Sequence, residues 1–297
     1  MRNSAHFLSK LSALCLLAVV AAVPAKAQLT TPIVPGTATP IKILPLGDSI
    51  TMGYNGEPTD SSGNFLYDGY GGYRYRLEQE LTTAGYNFEF VGSVTDNTAH
   101  LLPKDQHQEG HNGNTIQTFP GIYQNSPHLF YGIFDTNAGN SITTTAVQRY
   151  NPDVILLLIG TNNVNYAGQN PDLTHPGVNY PGPTYPDSAI NQYTLLLNEV
   201  LKLKPNITIL LGAIPHPDPS VLTNQIIQNQ IVLNNDIQRQ AALLKRLHYN
   251  IAYVPGTAVT ALLSDNTHPT QAGYDTMADA WYTALTGVTP PATPPTP

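Results

Sequence analysis

Cysteine is nearly absent. The one cysteine among 297 residues, Cys15, falls inside the first 27 residues, a stretch that reads as an export signal. Arg2 and Lys10 charge its start, residues 11–23 are mostly apolar, and Ala25-Lys26-Ala27 has the small-x-small form of a cleavage site. The expected mature chain begins at Gln28 and has no disulfide, no thiolate nucleophile and no cysteine-based zinc site. An exported domain without covalent staples needs a large core of its own.

Charge is scarce as well. Only 11% of residues are charged, and 20 acids outnumber 13 Lys and Arg. Loss of Arg2, Lys10 and Lys26, with no acid among the first 27 residues, takes the formal charge from −7 to about −10. That balance argues against nucleic acid and anionic lipid as partners. Long hydrophobic runs are missing too. The apolar core of the signal is too short to span a bilayer, and nothing downstream is longer, so no membrane association is expected.

Proline, glycine and tyrosine are plentiful, at 26, 23 and 17 residues. They predict many uncharged, tyrosine-bearing loops around one domain. Residues 28–40 read as an extended leader, 41–288 as the folded domain and 289–297 as a Pro/Thr-rich tail. Within the domain, apolar stretches near residues 41–46, 88–92, 154–159, 207–213 and 251–254 predict strands. Helical spacing is expected over 71–84, 141–150, 187–203, 219–247 and 271–285, with Thr270 placed to cap the last. Residues 164–186 form a long insertion without periodicity, whose tyrosines could stack on sugars or merely fill a loop. Strands alternating with helices predict an α/β fold, a parallel sheet covered on both faces as a three-layer α/β/α sandwich.

The first strand ends in Gly47-Asp48-Ser49, at the sheet edge where open α/β folds bind ligands. Gly160-Thr161-Asn162 follows the most apolar strand, and Asp265-Asn266-Thr267-His268 precedes the last helix. Each could be a plain polar turn. Together they supply what a serine hydrolase requires: Ser49 as nucleophile, His268 as its base, Asp265 to orient that base, and the Asn162 amide as an oxyanion donor. His107, Glu109 and His111 alternate along an extended stretch. They could ligate a metal or brace a neighbouring turn.

These blocks resemble those of the SGNH (GDSL-type) hydrolases. Leu44-Pro45-Leu46-Gly47-Asp48-Ser49-Ile50-Thr51, Gly71-Gly72-Tyr73-Arg74, Phe90-Val91-Gly92-Ser93 and Glu109-Gly110-His111-Asn112-Gly113 are more narrowly similar to carbohydrate esterase family three, a group that contains acetyl xylan esterases. The resemblance implies a flavodoxin-like five-stranded sheet of order 2-1-3-4-5 and a Ser49-His268-Asp265 triad. It implies an oxyanion hole made by the backbone N–H groups of Ser49 and Gly113 and by Asn162, with no metal or organic cofactor. This sequence departs from the family pattern at Asn163, where aspartate is usual, and at Asn112-Gly113-Asn114, where Ser-Gly-Trp is commoner.

The expected function is therefore a secreted, monomeric serine esterase that removes small acyl groups, acetyl above all, from a polysaccharide such as xylan. The competing readings are a lipase or acyl-thioesterase of the same superfamily, and a carbohydrate-binding protein that kept the scaffold.

Overall fold

The structure, a computed structural model, describes residues 29, 31–56, 68–117, 132–134, 141–165, 187–220 and 225–292. The expected signal segment, the tyrosines of 166–185 and residues 293–297 of the tail lie outside the described residues.

Six strands make one parallel sheet: β1 (Ile41–Gly47), β2 (Phe88–Phe90), β3 (Glu109–Gly110), β4 (Val154–Leu158), β5 (Thr208–Gly212) and β6 (Ile251–Val254). Their order is β2-β1-β4-β5-β6, with β3 paired to the far end of β1. The five main strands thus take the expected 2-1-3-4-5 order. The sixth, β3, was not expected, because a two-residue strand carries no periodicity. It extends the edge beyond β2, with Leu46 opposite Glu109 and Gly47 opposite Gly110, while β2 pairs only with Ile41 to Ile43.

The helices are α1 (Ser49–Met52), α2 (Tyr73–Thr83), α3 (Ile142–Tyr150), α4 (Thr161–Asn165), α5 (Asp187–Leu203), α6 (Gln225–Arg246) and α7 (Gln271–Thr286). Two apolar layers follow from the alternation of side chains along each strand. Leu44, Leu46, Ile155, Leu157 and Leu211 point to the face covered by α3, α5 and α6. Ile43, Val154, Leu156, Leu158 and Leu210 point to the face covered by α2 and α7, where Trp281 is fully buried. Strands apolar on both faces are the mark of a parallel sheet sandwiched between helices.

Cap chemistry sets several boundaries. The Ser141 hydroxyl accepts from Thr144 N at the start of α3, and Thr270 does the same for Gly273 N in α7. Asn151 ends α3 in the left-handed conformation. Two boundaries differ from the sequence reading. Helix α6 is described from Gln225, and Pro219 and Ser220 lie outside it, where the Asp218 side chain closes an Asx turn on Ser220 N. Thr161-Asn162 opens helix α4 rather than a bare turn. The leader is pinned along the chain: Ile33 N donates to Leu285 O, Gly36 N to Gly85 O, and Leu29 is buried. Among the described residues, no helix is long and apolar enough to cross a membrane.

Candidate active site

The site is built at the C-terminal ends of β1, β3 and β4. Strand β1 is bounded there on both sides, Gly47 lying opposite Gly110 of β3 and Leu158 of β4. A Cβ on Gly47 would stand 2.0 Å from the Leu158 carbonyl oxygen. Only glycine permits the chain to leave the sheet here, and the next two residues turn at once into α1. Asp48 caps that helix, its Oδ1 accepting from Ile50 N at 3.0 Å. Ser49 is its first residue, only 4% exposed.

The Ser49 hydroxyl lies 2.8 Å from His268 Nε2, across 219 residues of sequence. His268 Nδ1 lies 2.6 Å from Asp265 Oδ2. The other Asp265 oxygen, Oδ1, accepts the backbone N–H groups of Thr267 and His268 at 2.9 and 3.0 Å. Burial alone would raise the Asp265 pKa. Hydrogen bonds from the His268 ring and from the backbone N–H groups of His268 and Thr267 outweigh it, and the carboxyl is held at about 2. Its loop is closed by an antiparallel bridge between Leu262 and Pro269, with Leu263 N donating to His268 O at 2.8 Å. All three residues singled out from the sequence as nucleophile, base and orienter are thus in hydrogen-bonded series.

Gly113 and Asn162 meet at the same edge. Gly113 sits in the turn after β3 with φ +73°, a conformation that favours glycine. The Asn162 side chain donates from Nδ2 to Asn114 O at 2.8 Å. An amide nitrogen carries two hydrogens, so this bond fixes the group while leaving one donor over. Among the described residues, the backbone N–H groups of Ser49 and Gly113 have no hydrogen-bond partner. Asn163 ties the same two segments together: its Oδ1 accepts from Ile116 N at 3.0 Å, and its Nδ2 donates to Gln192 Oε1 at 3.1 Å. The second bond requires the amide that this chain carries in place of an aspartate.

Glu109 braces the turn. Its carboxylate accepts from Ser93 N at 2.6 Å and from the Ser93 hydroxyl at 3.0 Å, and lies 2.9 Å from His111 Nε2. His111 N in turn donates to Gly47 O at 3.1 Å. His107 is exposed and takes no part. Among the described residues, no group of His, Cys, Asp and Glu could hold a metal ion.

Two features escaped the sequence reading. Asp48 is fully buried; burial, only partly offset by the Ile50 N–H and the charge of His268, raises its pKa to about 7. Its Oδ2 has no hydrogen-bond partner. Tyr54, five residues beyond Ser49, packs its ring against His268 with centroids 4.5 Å apart and planes at 62°. Nothing in local sequence marks a contact between residues 214 positions apart. The only available signal was an aromatic placed just past the glycine that ends α1.

Residues 43–281 match the model of the GDSL-like lipase/acylhydrolase family. The chain is 28% identical over 263 residues to a multidomain esterase of Ruminococcus flavefaciens, covering 83% of this chain and 28% of that protein. It therefore spans under a third of that relative's length. Among solved structures it is similar to a family 3 carbohydrate esterase of Clostridium thermocellum, with TM-score 0.51, 25% identity, and coverage of 83% of this chain and 95% of that one. A carbohydrate esterase family 3 protein of Talaromyces cellulolyticus aligns with TM-score 0.54 and 21% identity over 82% of this chain and 94% of its own.

Proposed function

This chain belongs to the GDSL-like lipase/acylhydrolase family, and from that premise we propose that it is a carboxylic ester hydrolase, a secreted carbohydrate esterase that removes acetyl groups from a polysaccharide such as xylan. The observation that carries the reading is the unbroken series Ser49 Oγ to His268 Nε2 at 2.8 Å and His268 Nδ1 to Asp265 Oδ2 at 2.6 Å. The similarity to a family 3 carbohydrate esterase favours a sugar ester over a long-chain one.

In this reading Ser49 Oγ attacks the ester carbonyl while His268 Nε2 takes its proton. Asp265, ionised at any pH above about 2, holds the opposite ring nitrogen and favours the imidazolium. Negative charge gathers on the former carbonyl oxygen. The N–H groups of Ser49 and Gly113 and the remaining Asn162 hydrogen are the donors for it. His268 then hands its proton to the leaving sugar oxygen, the C–O bond breaks, and an acetyl-serine remains. Water, deprotonated by the same histidine, releases acetate and restores Ser49.

Initial rates on p-nitrophenyl acetate, butyrate and octanoate, with acetate release from acetylated xylan, test the proposal on wild type and Ser49→Ala. Expected is serine-dependent activity on acetate and xylan that collapses by octanoate. Preference for octanoate would replace the carbohydrate reading with a lipase one. Undiminished turnover in Ser49→Ala would refute the triad.

A further inference from the structure

The backbone that leaves the nucleophile helix is clamped from three directions. Met52 O accepts from Arg74 Nη2 at 2.9 Å, Gly53 O from Asn97 Nδ2 at 2.8 Å, and Tyr54 O from the Tyr274 hydroxyl at 2.5 Å. These are successive carbonyls, and their donors come from α2, from the loop after β2, and from α7. Arg74 is fully buried, and burial lowers its pKa to about 10. Its Nη2 reaches the Met52 carbonyl, while Nε and Nη1 are buried without a hydrogen-bond partner among the described residues. Asn97 adopts φ +56° and is itself locked, its Oδ1 accepting from Gly69 N at 2.7 Å.

A clamp on three consecutive carbonyls fixes where the third residue's side chain goes. The Tyr54 ring lies against the His268 imidazole. The two hydrogen bonds of His268 lie in the plane of its ring, at Nδ1 and Nε2. Bonds along that axis resist translation of the ring but leave it free to tilt about the line joining them. The Asp265 side chain is 41% exposed and that of His268 only 16%, so the ring is enclosed by neighbours other than its carboxylate partner. An aromatic ring packed edge-to-face supplies the missing restraint.

We propose that Tyr54 is a positioning residue for His268, held in place by the Arg74, Asn97 and Tyr274 bonds. It keeps the imidazole plane aligned with Ser49 Oγ. The proposal rests on the esterase reading for its kinetic consequence, but not for the geometry of His268.

The test compares wild type, Tyr54→Phe, Tyr54→Ala and Tyr274→Phe. On p-nitrophenyl acetate, Tyr54→Ala should lower kcat at least roughly tenfold with KM within about twofold, since misalignment of a reacting group by about 1 Å can cost on the order of a hundredfold. Tyr54→Phe keeps the ring and should restore kcat to within about twofold. Tyr274→Phe, which removes one hydroxyl and no packing, should fall between them. The low-field proton resonance of the His268–Asp265 hydrogen bond should be sharp in wild type and Tyr54→Phe and broadened in Tyr54→Ala. Equal kcat in wild type and Tyr54→Ala, or a loss in Tyr54→Phe as large as in Tyr54→Ala, would overturn the proposal. So would an unchanged His268 resonance in Tyr54→Ala. If wild type hydrolyses no ester, the esterase reading fails, and the resonance still decides the positioning role. Should Tyr54→Ala not fold, the kcat and resonance of Tyr274→Phe decide it, with wild-type values for both overturning the proposal.

Discussion

Replacing Asp48 by asparagine isolates the cost of keeping an acid beneath the nucleophile. In the folded protein Asp48 is wholly buried, and burial raises its pKa from 3.8 to about 7. An unfolded chain releases that proton near pH 4, while the folded one keeps it until about pH 7. Between those values the folded state binds more protons, so stability falls as pH rises. At about 1.4 kcal/mol per pKa unit, a shift of about three units is worth ~4 kcal/mol, nearly all of it lost between about pH 4 and pH 8. Asparagine carries no charge at any pH and still offers its oxygen to Ile50 N, so the cap of α1 survives. The unpartnered amide it adds has a cost independent of pH. Glu78 and Glu80, raised chiefly by burial to about 7 and about 8, contribute equally to both proteins. Urea unfolding followed through the single, fully buried Trp281 gives the free energy of each protein at both pH values. The wild-type protein should lose about 3 to 4 kcal/mol more than Asp48→Asn between about pH 4 and pH 8. Parallel pH dependences in the two proteins would refute the argument, because they would mean that Asp48 titrates alike folded and unfolded.

Other consequences follow from the same geometry. If Asn162 is an oxyanion donor as proposed, Asn162→Ala should lower kcat on p-nitrophenyl acetate on the order of a hundredfold, with KM little changed; a drop of less than about fivefold would remove Asn162 from the hole. Gly47→Ala places a Cβ 2.0 Å from a backbone oxygen that no rotamer change can move, so it should exceed the ~1–3 kcal/mol usual for overpacking and yield little folded protein in expression and melting assays. Because Asp265 is held at about 2, its carboxylate should stay ionised down to about pH 4 in an NMR titration, so that its protonation leaves the kcat/KM profile unchanged above that pH. An Asp265 carboxyl shift that titrates well above pH 4 would refute this.

The sequence reading succeeded where a local signal was complete. β4 reads Val154-Ile155-Leu156-Leu157-Leu158, apolar on both faces, and nothing but a central strand makes use of that pattern. Thr270, expected to cap the last helix, carries its cap chemistry within three residues of the Gly273 N–H it satisfies. Asp265 and His268 were legible as a pair because three residues of chain suffice to join them. β3 was missed because its two residues are recruited by β1 and have no preference of their own. The start of α6 was missed because Asp218 turns the chain with a side-chain bond that competes with helix. Tyr54 and Asp48 were missed for a different reason. Their significance lies in what the fold brings beside them.

That contrast explains how the site is assembled. One half is backbone: β1, hemmed in by β3 and β4, leaves the sheet only through Gly47, and α1 follows with Ser49 at its head. Its placement depends on strand register and so on the whole core. The other half is local: the Asp265 loop closes on itself through Leu262 and Pro269 and would hold His268 toward Asp265 wherever it was attached. Neither half specifies its distance from the other. Contacts between the nucleophile segment and the histidine side set that distance. Among the described residues they include the Ser49–His268 hydrogen bond, the Tyr54 ring on His268 and the Tyr274 hydroxyl on Tyr54 O, and Asn165 Nδ2 adds a bond from α4 to the Thr267 hydroxyl at 3.1 Å. The first must break and re-form as protons move, so a constant separation has to come from the others. Residues at this junction should therefore change turnover more than stability, whereas those behind Gly47 should change stability first.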